Sequence, residues 1–472
     1  MKRSKSYTRL LILLPFILGT IGLMIAGETL LNAMFGCVMM YFLNFEDTPP
    51  NLLVEIARWT APLATAGSVL SLLNTVRSKI AEKWRYLRGK SVAVMGPEDL
   101  QKTMLEMLPG RGVRIDGNFV KARRYLLLGT EAENLAYYTA YSKEIGSRPV
   151  FMRCDSLSQQ SVGKANLHPF SPEENAARLF WQERNAYALW KAAQQPMQIV
   201  LLGFGKLGEA LVYHGMQMNL FSEDQQIEYH IFGDCDAFLS THTSLDCISD
   251  KVIAHDDPWY KALPLIENAA MVLVCTQENQ TVLVQKLLSA TIRREIDVFT
   301  AGEGSLSLLE AQDRLRCFDW RSRSMDPELI FGDTLYRRAK AINLRYAHLY
   351  SGTEETPENA ELEWQKLSAF TRGSNVSAAD YQVIRLEMLR ADGLPTEADA
   401  LTNEQLDRLA ALEHVRWCRY HWLNNWRHGT PANGKNKDEK QRIHALLIAN
   451  NTLSEAEKEK DRENIRVLLS VE

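Results

Sequence analysis

Residues 198–202 read QIVLL, and the six residues that follow them are Gly203, Phe204, Gly205, Lys206, Leu207 and Gly208. The apolar run predicts a buried parallel strand, and the next residues, EALVY, predict a helix. Glycine at 203 suits a tight turn, glycine at 205 lets the backbone approach a pyrophosphate, and glycine at 208 permits close packing of helix on strand. The amino end of the helix would supply unpaired N–H groups to the phosphates.

An acidic residue follows the next predicted strand. Residues 228–233 form that strand, Asp234 comes directly after it, and Asp236 lies two residues further on. A carboxylate at this place would receive ribose hydroxyls. More strands are predicted at residues 251–254, 270–275 and 296–300, which completes a doubly wound parallel sheet. We interpret residues 197–330 as a Rossmann-like domain that binds NAD or another adenine nucleotide; in the alternative interpretation the glycines serve packing alone.

A second α/β unit precedes this one, within residues 81–196. Strands are predicted at residues 91–95, 125–128 and 149–152, and helices at 98–108, 131–145 and 172–195. Its first turn is Gly96-Pro97, which cannot make the usual phosphate cradle. We therefore expect a degenerate or purely structural Rossmann-like unit.

The N-terminal 80 residues are apolar enough to predict a membrane segment. Residues 10–26 carry no charge, and apolar stretches follow at 30–45 and 52–73. Basic residues flank the whole segment on both sides, so the positive-inside rule favours two spans around a re-entrant element; three helices are the alternative. Residues 33–50 resemble the pore loop of two-span cation channels, without the glycine-rich carbonyl filter. This predicts a lipid bilayer as partner and an inner or plasma membrane location with the C-terminal bulk cytoplasmic.

A membrane segment joined by a basic linker to tandem Rossmann-like units resembles the potassium-uptake regulators of the TrkA-N, RCK or KTN type. The resemblance covers residues 90–320 and depends mainly on the glycine motif and Asp234. It implies nucleotide binding, assembly into a homo-oligomer, with a tetramer favoured, and conformational gating without catalysis.

Residues 412–468 resemble the RyR domain, a small helical repeat named after ryanodine receptors. The residues that carry this resemblance are His414-Val-Arg-Trp417, Asn425-Trp426-Arg427-His428-Gly429, Arg442-Ile-His444 and Glu459-Lys-Asp-Arg462. Asn343-Leu-Arg-Tyr346 is similar to the first of these motifs, and Leu367-Ser368 is similar to Leu453-Ser454. These similarities indicate an internal repeat. We expect an all-α module with one repeat in residues 331–400 and a second, with a polar insertion at 430–440, in residues 401–472.

The second repeat holds an aromatic and cationic set that suits a nucleotide-derived small molecule. Aromatic faces stack on a base, and guanidinium groups such as those of Arg416 and Arg419 pair with phosphate. The alternative is that the tryptophans form core and the arginines a solvated face. The predicted ligand residues are His414, Trp417, Trp422, Trp426, Arg427 and His428. Metal binding is not predicted, because no second cluster of ligands accompanies His414.

Composition excludes several classes of function. The formal charge of −4 on 472 residues argues against nucleic acid as a partner, since phosphate binding needs a basic face. Seven scattered cysteines without a CxxC pair indicate reduced thiols. No P-loop, nucleophile elbow or HExxH motif is present, so we predict no enzyme and no catalytic residue.

Three hypotheses follow for function. The first is a membrane-anchored nucleotide sensor that acts as a ligand-gated, channel-like effector or regulator of ion transport, with a defence or stress role conceivable by resemblance. The second is a non-conducting, membrane-tethered scaffold whose RyR repeats bind a protein partner. The third and most distant is an NAD-dependent oxidoreductase.

Overall fold

A computed structural model describes residues 2–44, 51–155, 166–184, 186–292, 295–302, 305–309, 312–432 and 434–471 of the chain. The chain divides into two compact units, Met1–Ser91 and Val92–Glu472. The second unit contains both parallel sheets and the C-terminal helices.

The first unit is helical. Its helices are α1 (Lys2–Ile25), α2 (Leu30–Met40) and α3 (Leu52–Leu87). The helices α1 and α3 approach closely at Gly22, where an added Cβ would lie 2.9 Å from the backbone nitrogen of Val54. Leu23, Ala33 and Ala57 lie in the small core that this packing creates.

The predicted transmembrane helices are wrong, both as two spans with a re-entrant element and as three spans. None of the helices in the described part of the chain combines the length and the apolarity that a bilayer crossing requires. A crossing needs about 20 predominantly apolar residues. Helix α3 is long enough, with 36 residues, but Glu55 and Arg58 interrupt its apolar half. The first turns of α1 carry Lys2, Arg3, Lys5 and Arg9, and α2 has only 11 residues. Part of the predicted re-entrant element, residues 45–50, lies outside the described residues.

The second unit begins with a five-stranded parallel sheet. Its strands and helices are β1 (Val92–Met95), α4 (Glu98–Met107), β2 (Gly112–Arg114), β3 (Arg124–Leu127), α5 (Glu131–Ile145), β4 (Val150–Arg153) and β5 (Leu167–Phe170). The strand order is β2-β1-β3-β4-β5, which is the flavodoxin-like order of doubly wound folds. Helix α5 begins at a capping box formed by Thr130 and Glu133, so its amino end is already satisfied within the chain.

A helical stretch leads into the second sheet. The predicted helix at 172–195 is observed as α6 (Pro172–Arg184) and α7 (Ala186–Ala192), and residue 185 lies outside the described residues. The elements of the sheet follow as β6 (Met197–Leu202), α8 (Gly205–Met218), β7 (Ile227–Phe232), α9 (Asp236–Thr241), β8 (Lys251–Ala254), α10 (Leu263–Asn268), β9 (Met271–Val274), α11 (Gln280–Ala290), β10 (Ile296–Thr300) and β11 (Leu315–Asp319).

The second sheet has the strand order of dinucleotide-binding domains. All its strand pairs are parallel, and the order β11-β10-β9-β6-β7-β8 corresponds to 3-2-1-4-5-6 read from the opposite edge. Both faces are buried: Ile199 and Leu201 of β6 face the core under α6 and α8, while Val200 and Leu202 face the core under α10 and α11. The predicted parallel sheet is observed, with its strands between Met197 and Asp319.

The C-terminal region packs its helices on this sheet layer. Its elements are α12 (Trp320–Ser324), α13 (Pro327–Phe331), α14 (Thr334–Ser351), α15 (Pro357–Lys366), α16 (Ala369–Ala391), α17 (Asn403–Leu423), β12 (Arg427–His428), β13 (Lys437–Asp438), β14 (Ile443–His444) and α18 (Glu455–Leu469). Ser368 caps α16 and Ser454 caps α18 through side-chain hydrogen bonds, so the two halves of the predicted repeat begin their second helices alike.

The expectation of a purely helical C-terminal module is wrong in one detail. The short strands β12, β13 and β14 form a small sheet, in which β14 pairs parallel with β12 and antiparallel with β13. β13 lies within the predicted polar insertion at 430–440. The insertion therefore folds back on the repeat as an added strand.

Candidate functional site

The turn between β6 and α8 requires glycine at its first position. Gly203 has a φ of +84°, and an added Cβ would lie 2.7 Å from the backbone nitrogen of Thr276. Thr276 follows β9, the strand next to β6 at the switch point of the sheet. Gly203 thus makes the tight turn that the sequence predicted and brings the ends of two strands together.

Gly205 differs from Gly203 because its surroundings are open. Its φ is +54°, and apart from its chain neighbours and the backbone of its own helix, no heavy atom of the described residues lies within 4 Å of the position that a Cβ would occupy. Glycine is favoured here by backbone conformation and not by packing. The open space is where the backbone of the turn can approach a ligand.

Gly208 is required by a contact that the sequence did not suggest. An added Cβ would lie 2.8 Å from Cδ2 of Phe204, so the glycine makes room for that ring and not for the strand. The ring of Phe204 also packs edge-on against Phe238, with centroids 5.8 Å apart. Phe204 and Leu207 are buried core residues, so of the predicted cofactor-binding set they would contribute backbone atoms only.

The amino end of α8 offers free donors. Phe204 provides no side-chain cap, and the first turn contains no acidic residue. The first N–H group of the helix with an acceptor in the described chain is that of Gly208, which bonds Phe204 O at 2.8 Å. Lys206 lies beside these donors, exposed, with its Nζ 3.3 Å from the Glu209 carboxylate. The arrangement leaves backbone N–H groups and a helix dipole for an anion.

The acidic loop after β7 lies against the glycine turn. At Gly233 an added Cβ would lie 3.0 Å from the backbone nitrogen of Phe204, so the two loops touch. Asp234 is exposed, and its Oδ1 accepts a hydrogen bond from the backbone N–H of Asp236 at 3.2 Å. Neither carboxylate has an ion-pair partner in the described chain. Asp234 is therefore available to a ligand bound at the turn, while Asp236 starts α9.

A third wall of the crevice was missed by the sequence analysis. The segment after β9 is fixed by the backbone N–H of Thr276, which bonds Leu202 O at 3.2 Å, and by the side chains of Gln277 and Gln280, which both donate to Phe299 O at 2.8 Å. The polar run Thr276-Gln-Glu-Asn directly after a buried strand was the signal that could have located it.

The predicted ligand residues of the C-terminal module do not form one surface. Trp417 packs at a tilt against the ring of His421, with centroids 4.1 Å apart, and meets His444 edge-on at 4.8 Å, while Trp426 stacks on Phe370 at 4.8 Å. Trp426 is only 3 % exposed. The half-buried Trp422 packs against the same cluster and against the core under α8. The tryptophans therefore serve packing.

His421 and His444, which contact these tryptophans, are neutral at physiological pH. Burial lowers the pKa of His421 to about 3 and that of His444 to about 4. Arg427 and His428, in contrast, lie exposed on β12. Ligand binding by this module stays a prediction, and the structure leaves Arg427 and His428 as its exposed side chains from the predicted set.

His414 has structural partners. Its Nδ1 lies 3.3 Å from the Asp461 carboxylate, and its Nε2 lies 2.9 Å from Ile448 O. Burial lowers the pKa of His414, but the hydrogen bonds to Asp461 and Cys418 outweigh burial and raise it to about 10. The imidazolium ties α17 to α18.

The buried arginines of α17 pair with carboxylates of the protein. Arg416 binds Glu413 at 2.7 Å, and Arg419 binds Asp250 at 2.6 Å. Arg419 also donates to Met216 O, at the end of α8, at 2.9 Å. These guanidinium groups link the helical module internally and to the Rossmann-like domain, and they are not free for phosphate.

Asn425 makes a further link that the sequence analysis did not single out as such. Its φ is +61°, a left-handed conformation that asparagine tolerates. Its Oδ1 accepts from the Thr243 N–H at 2.8 Å, and its Nδ2 donates to Thr241 O at 2.8 Å. Thr241 is the last residue of α9, which begins beside Asp234. Two walls of the crevice, α8 and the loop that leads into α9, thus continue into contacts with the helical module.

The chain was compared with protein families, curated proteins and solved structures. No protein-family model, no curated protein and no solved structure matches the chain.

Proposed function

We propose that the chain is a nucleotide-binding regulatory protein that takes NAD, or another adenine nucleotide, at the crevice between the ends of β6, β7 and β9. The observation that carries the proposal is the open space at Gly205, in front of free helix donors, at the switch point of a 3-2-1-4-5-6 sheet. The phosphates would lie at the amino end of α8, within reach of Lys206.

Asp234 supports a ligand with free ribose hydroxyls. A carboxylate accepts hydrogen bonds from a 2′-hydroxyl and repels a 2′-phosphate. The carboxylate of Asp234 therefore favours NAD over NADP as the ligand.

Regulation, and not hydride transfer, is proposed because the sequence carries no recognised catalytic motif and because the crevice connects to the helical module. Two of the three walls reach that module: the last turn of α8 bonds Arg419, and the last residue of α9 bonds Asn425. A ligand that changes the spacing of these walls has a direct route to α17. The channel-like effector is left out, because it depended on transmembrane helices. Homo-oligomeric assembly stays a prediction of the RCK-type resemblance.

Calorimetric titration of the full-length protein with NAD, NADP and ATP tests the proposal. At a ligand concentration of about 100 Kd, binding stabilises the folded state by about 2.7 kcal/mol, which raises the melting temperature by several degrees. We expect NAD to bind more tightly than NADP, and Asp234→Ala to reduce that preference.

Gly205→Val should abolish binding, since it places a branched side chain in the open space. Gly352→Val is the matched control: Gly352 has a φ of +68° and equally open surroundings, but it ends α14, outside the crevice. Both variants carry the same backbone strain, so only Gly205→Val should lose the nucleotide. Equal binding by the two variants would exclude the glycine turn as the site.

A further inference from the structure

The first unit exposes large apolar side chains on each of its three helices. Leu31 and Phe35 of α2 are 81 % and 68 % exposed. Leu14 and Ile21 are about half exposed on α1, and Trp59 is exposed on α3. We call these side chains the apolar surface of the first unit. Exposed apolar side chains that recur along whole helices mark a surface that contacts a protein or a membrane.

Small residues lie where the helices of this unit approach each other. An added Cβ at Gly19 would lie 3.0 Å from Cβ of Ala57, and one at Gly22 would lie 2.9 Å from the backbone nitrogen of Val54. Ala33 and Ala57 are fully buried. A helix bundle surrounded by water buries its large apolar side chains and exposes polar ones. Small residues between helices, with large apolar residues outside, are the arrangement of helices that contact lipid.

Polar side chains among these helices bond within the unit. The hydroxyl of Thr20 donates to the backbone of its own helix at 2.8 Å. Asn51 caps α3 and also donates from Nδ2 to Gly22 O at 3.1 Å. Arg58 contacts the carboxylate of Glu55 at 3.4 Å. An apolar environment requires such internal partners, because it offers none of its own.

The charge of the first unit favours one kind of partner. Residues 1–91 contain 11 lysines and arginines but 5 aspartates and glutamates, a net charge of +6 in a chain whose total is −4. Lys83 and Arg88 are exposed at the carboxyl end of α3, and the Arg88 guanidinium lies 5.6 Å from the ring centroid of the exposed Trp84. Tryptophan beside basic residues is typical of segments at the headgroup level of a membrane. Anionic headgroups attract this charge, whereas the first unit of a second copy repels it.

We propose that the first unit binds the surface of a bilayer that contains anionic lipid. The apolar surface inserts among the acyl chains of one leaflet, and the carboxyl end of α3 lies at the headgroups. Binding at one leaflet requires no helix that crosses the bilayer. The proposal does not depend on nucleotide binding at Gly205.

Co-sedimentation of the full-length protein with vesicles tests this. We expect the protein to bind vesicles of equimolar phosphatidylcholine and phosphatidylserine, and to bind vesicles of phosphatidylcholine alone more weakly. Leu31→Ser with Phe35→Ser should weaken binding at least about a hundredfold, since the burial of each side chain contributes about tenfold or more. A parent protein that binds neither kind of vesicle, or unchanged binding by this double variant, overturns the proposal.

Leu308→Ser with Tyr350→Ser is the matched control. These two side chains are 83 % and 70 % exposed, much as Leu31 and Phe35 are, but they lie in the second unit, so this variant should bind as the parent does. Equal weakening by the two double variants overturns the assignment to the first unit. Should Leu31→Ser with Phe35→Ser fail to fold, Trp59→Ser removes an exposed ring from α3, and unchanged binding by that variant also overturns the proposal.

Lys83→Gln with Arg88→Gln tests the contribution of charge. This variant should weaken binding to the phosphatidylserine vesicles by about 30-fold and leave binding to phosphatidylcholine vesicles unchanged. Equal weakening on both kinds of vesicle contradicts the preference for anionic lipid. Sedimentation velocity without lipid tests a second copy as the partner: an oligomer that Leu31→Ser with Phe35→Ser dissociates, in a protein that binds no vesicle, overturns the proposal.

Discussion

The ion pair between Arg419 and Asp250 gives a quantitative test of how the helical module is joined to the Rossmann-like domain. The two side chains are 1 % and 0 % exposed, and the guanidinium bonds both carboxylate oxygens, at 2.6 and 3.2 Å. Arg419→Met leaves the carboxylate buried without its partner and frees the carbonyl of Met216. Breaking such a pair from one side costs about 3–5 kcal/mol, which is the loss in free energy of unfolding that we expect.

The loss should depend on pH in a defined direction. Burial raises the pKa of Asp250, and Arg419 lowers it. Without the arginine, folded Asp250 binds a proton at a pH where the unfolded chain does not. Stability then rises as pH falls, because the folded state holds more protons than the unfolded state. The cost of Arg419→Met should therefore shrink as the pH is lowered from neutral towards the ordinary pKa of an aspartate.

Urea unfolding followed by tryptophan fluorescence measures both effects. Arg419→Met with Asp250→Asn should recover part of the loss, since the amide oxygen can still accept the N–H of Ile227, which Asp250 bonds at 3.0 Å. Arg345→Met is the surface control, because its pair with Glu355 is exposed and is worth at most about 1 kcal/mol. A cost of Arg419→Met no larger than that of Arg345→Met would refute the reasoning.

Three further predictions concern other elements. Asn134→Leu should cost about 2–4 kcal/mol in chemical unfolding, because the buried amide of Asn134 bonds backbone groups of Gly129 and Arg153 that would lose their partners. Asp461→Asn should flatten the pH dependence of stability. In the parent protein, the His414 imidazolium stabilises the fold fully below about pH 6.5 and loses this effect as the pH rises towards its raised pKa of about 10. A parent protein whose stability does not fall over that range contradicts the assignment. Thr402→Ala removes the capping box of α17 and should lower the melting temperature by an amount equivalent to about 1 kcal/mol, whereas an unchanged melting curve would show that tertiary packing alone holds this end.

The strands of the two parallel sheets that the sequence did not predict are edge strands. The missed strands β2, β5 and β11 all lie at sheet edges, where one side has no neighbour. Such strands lack the continuous apolar run of central ones: β11 reads LRCFD, and β5 contains Pro169, which an edge tolerates. Central strands such as β6 and β9 are buried on both faces, and their composition shows it.

The amino-acid sequence by itself determined the glycine turn, since the order strand, Gly203, Gly205, helix is a local pattern that local backbone conformation enforces. It also indicated Asp234, because that residue follows a strand directly. Local pattern has no information about which side of a helix meets another element. The tertiary structure decided that Trp426 is core and that Arg419 is paired with Asp250, since each of these depends on contacts between residues far apart in the chain. The same limit applies to the N-terminal helices, because apolar composition predicts burial, whereas only helix length and packing partners decide where that burial occurs.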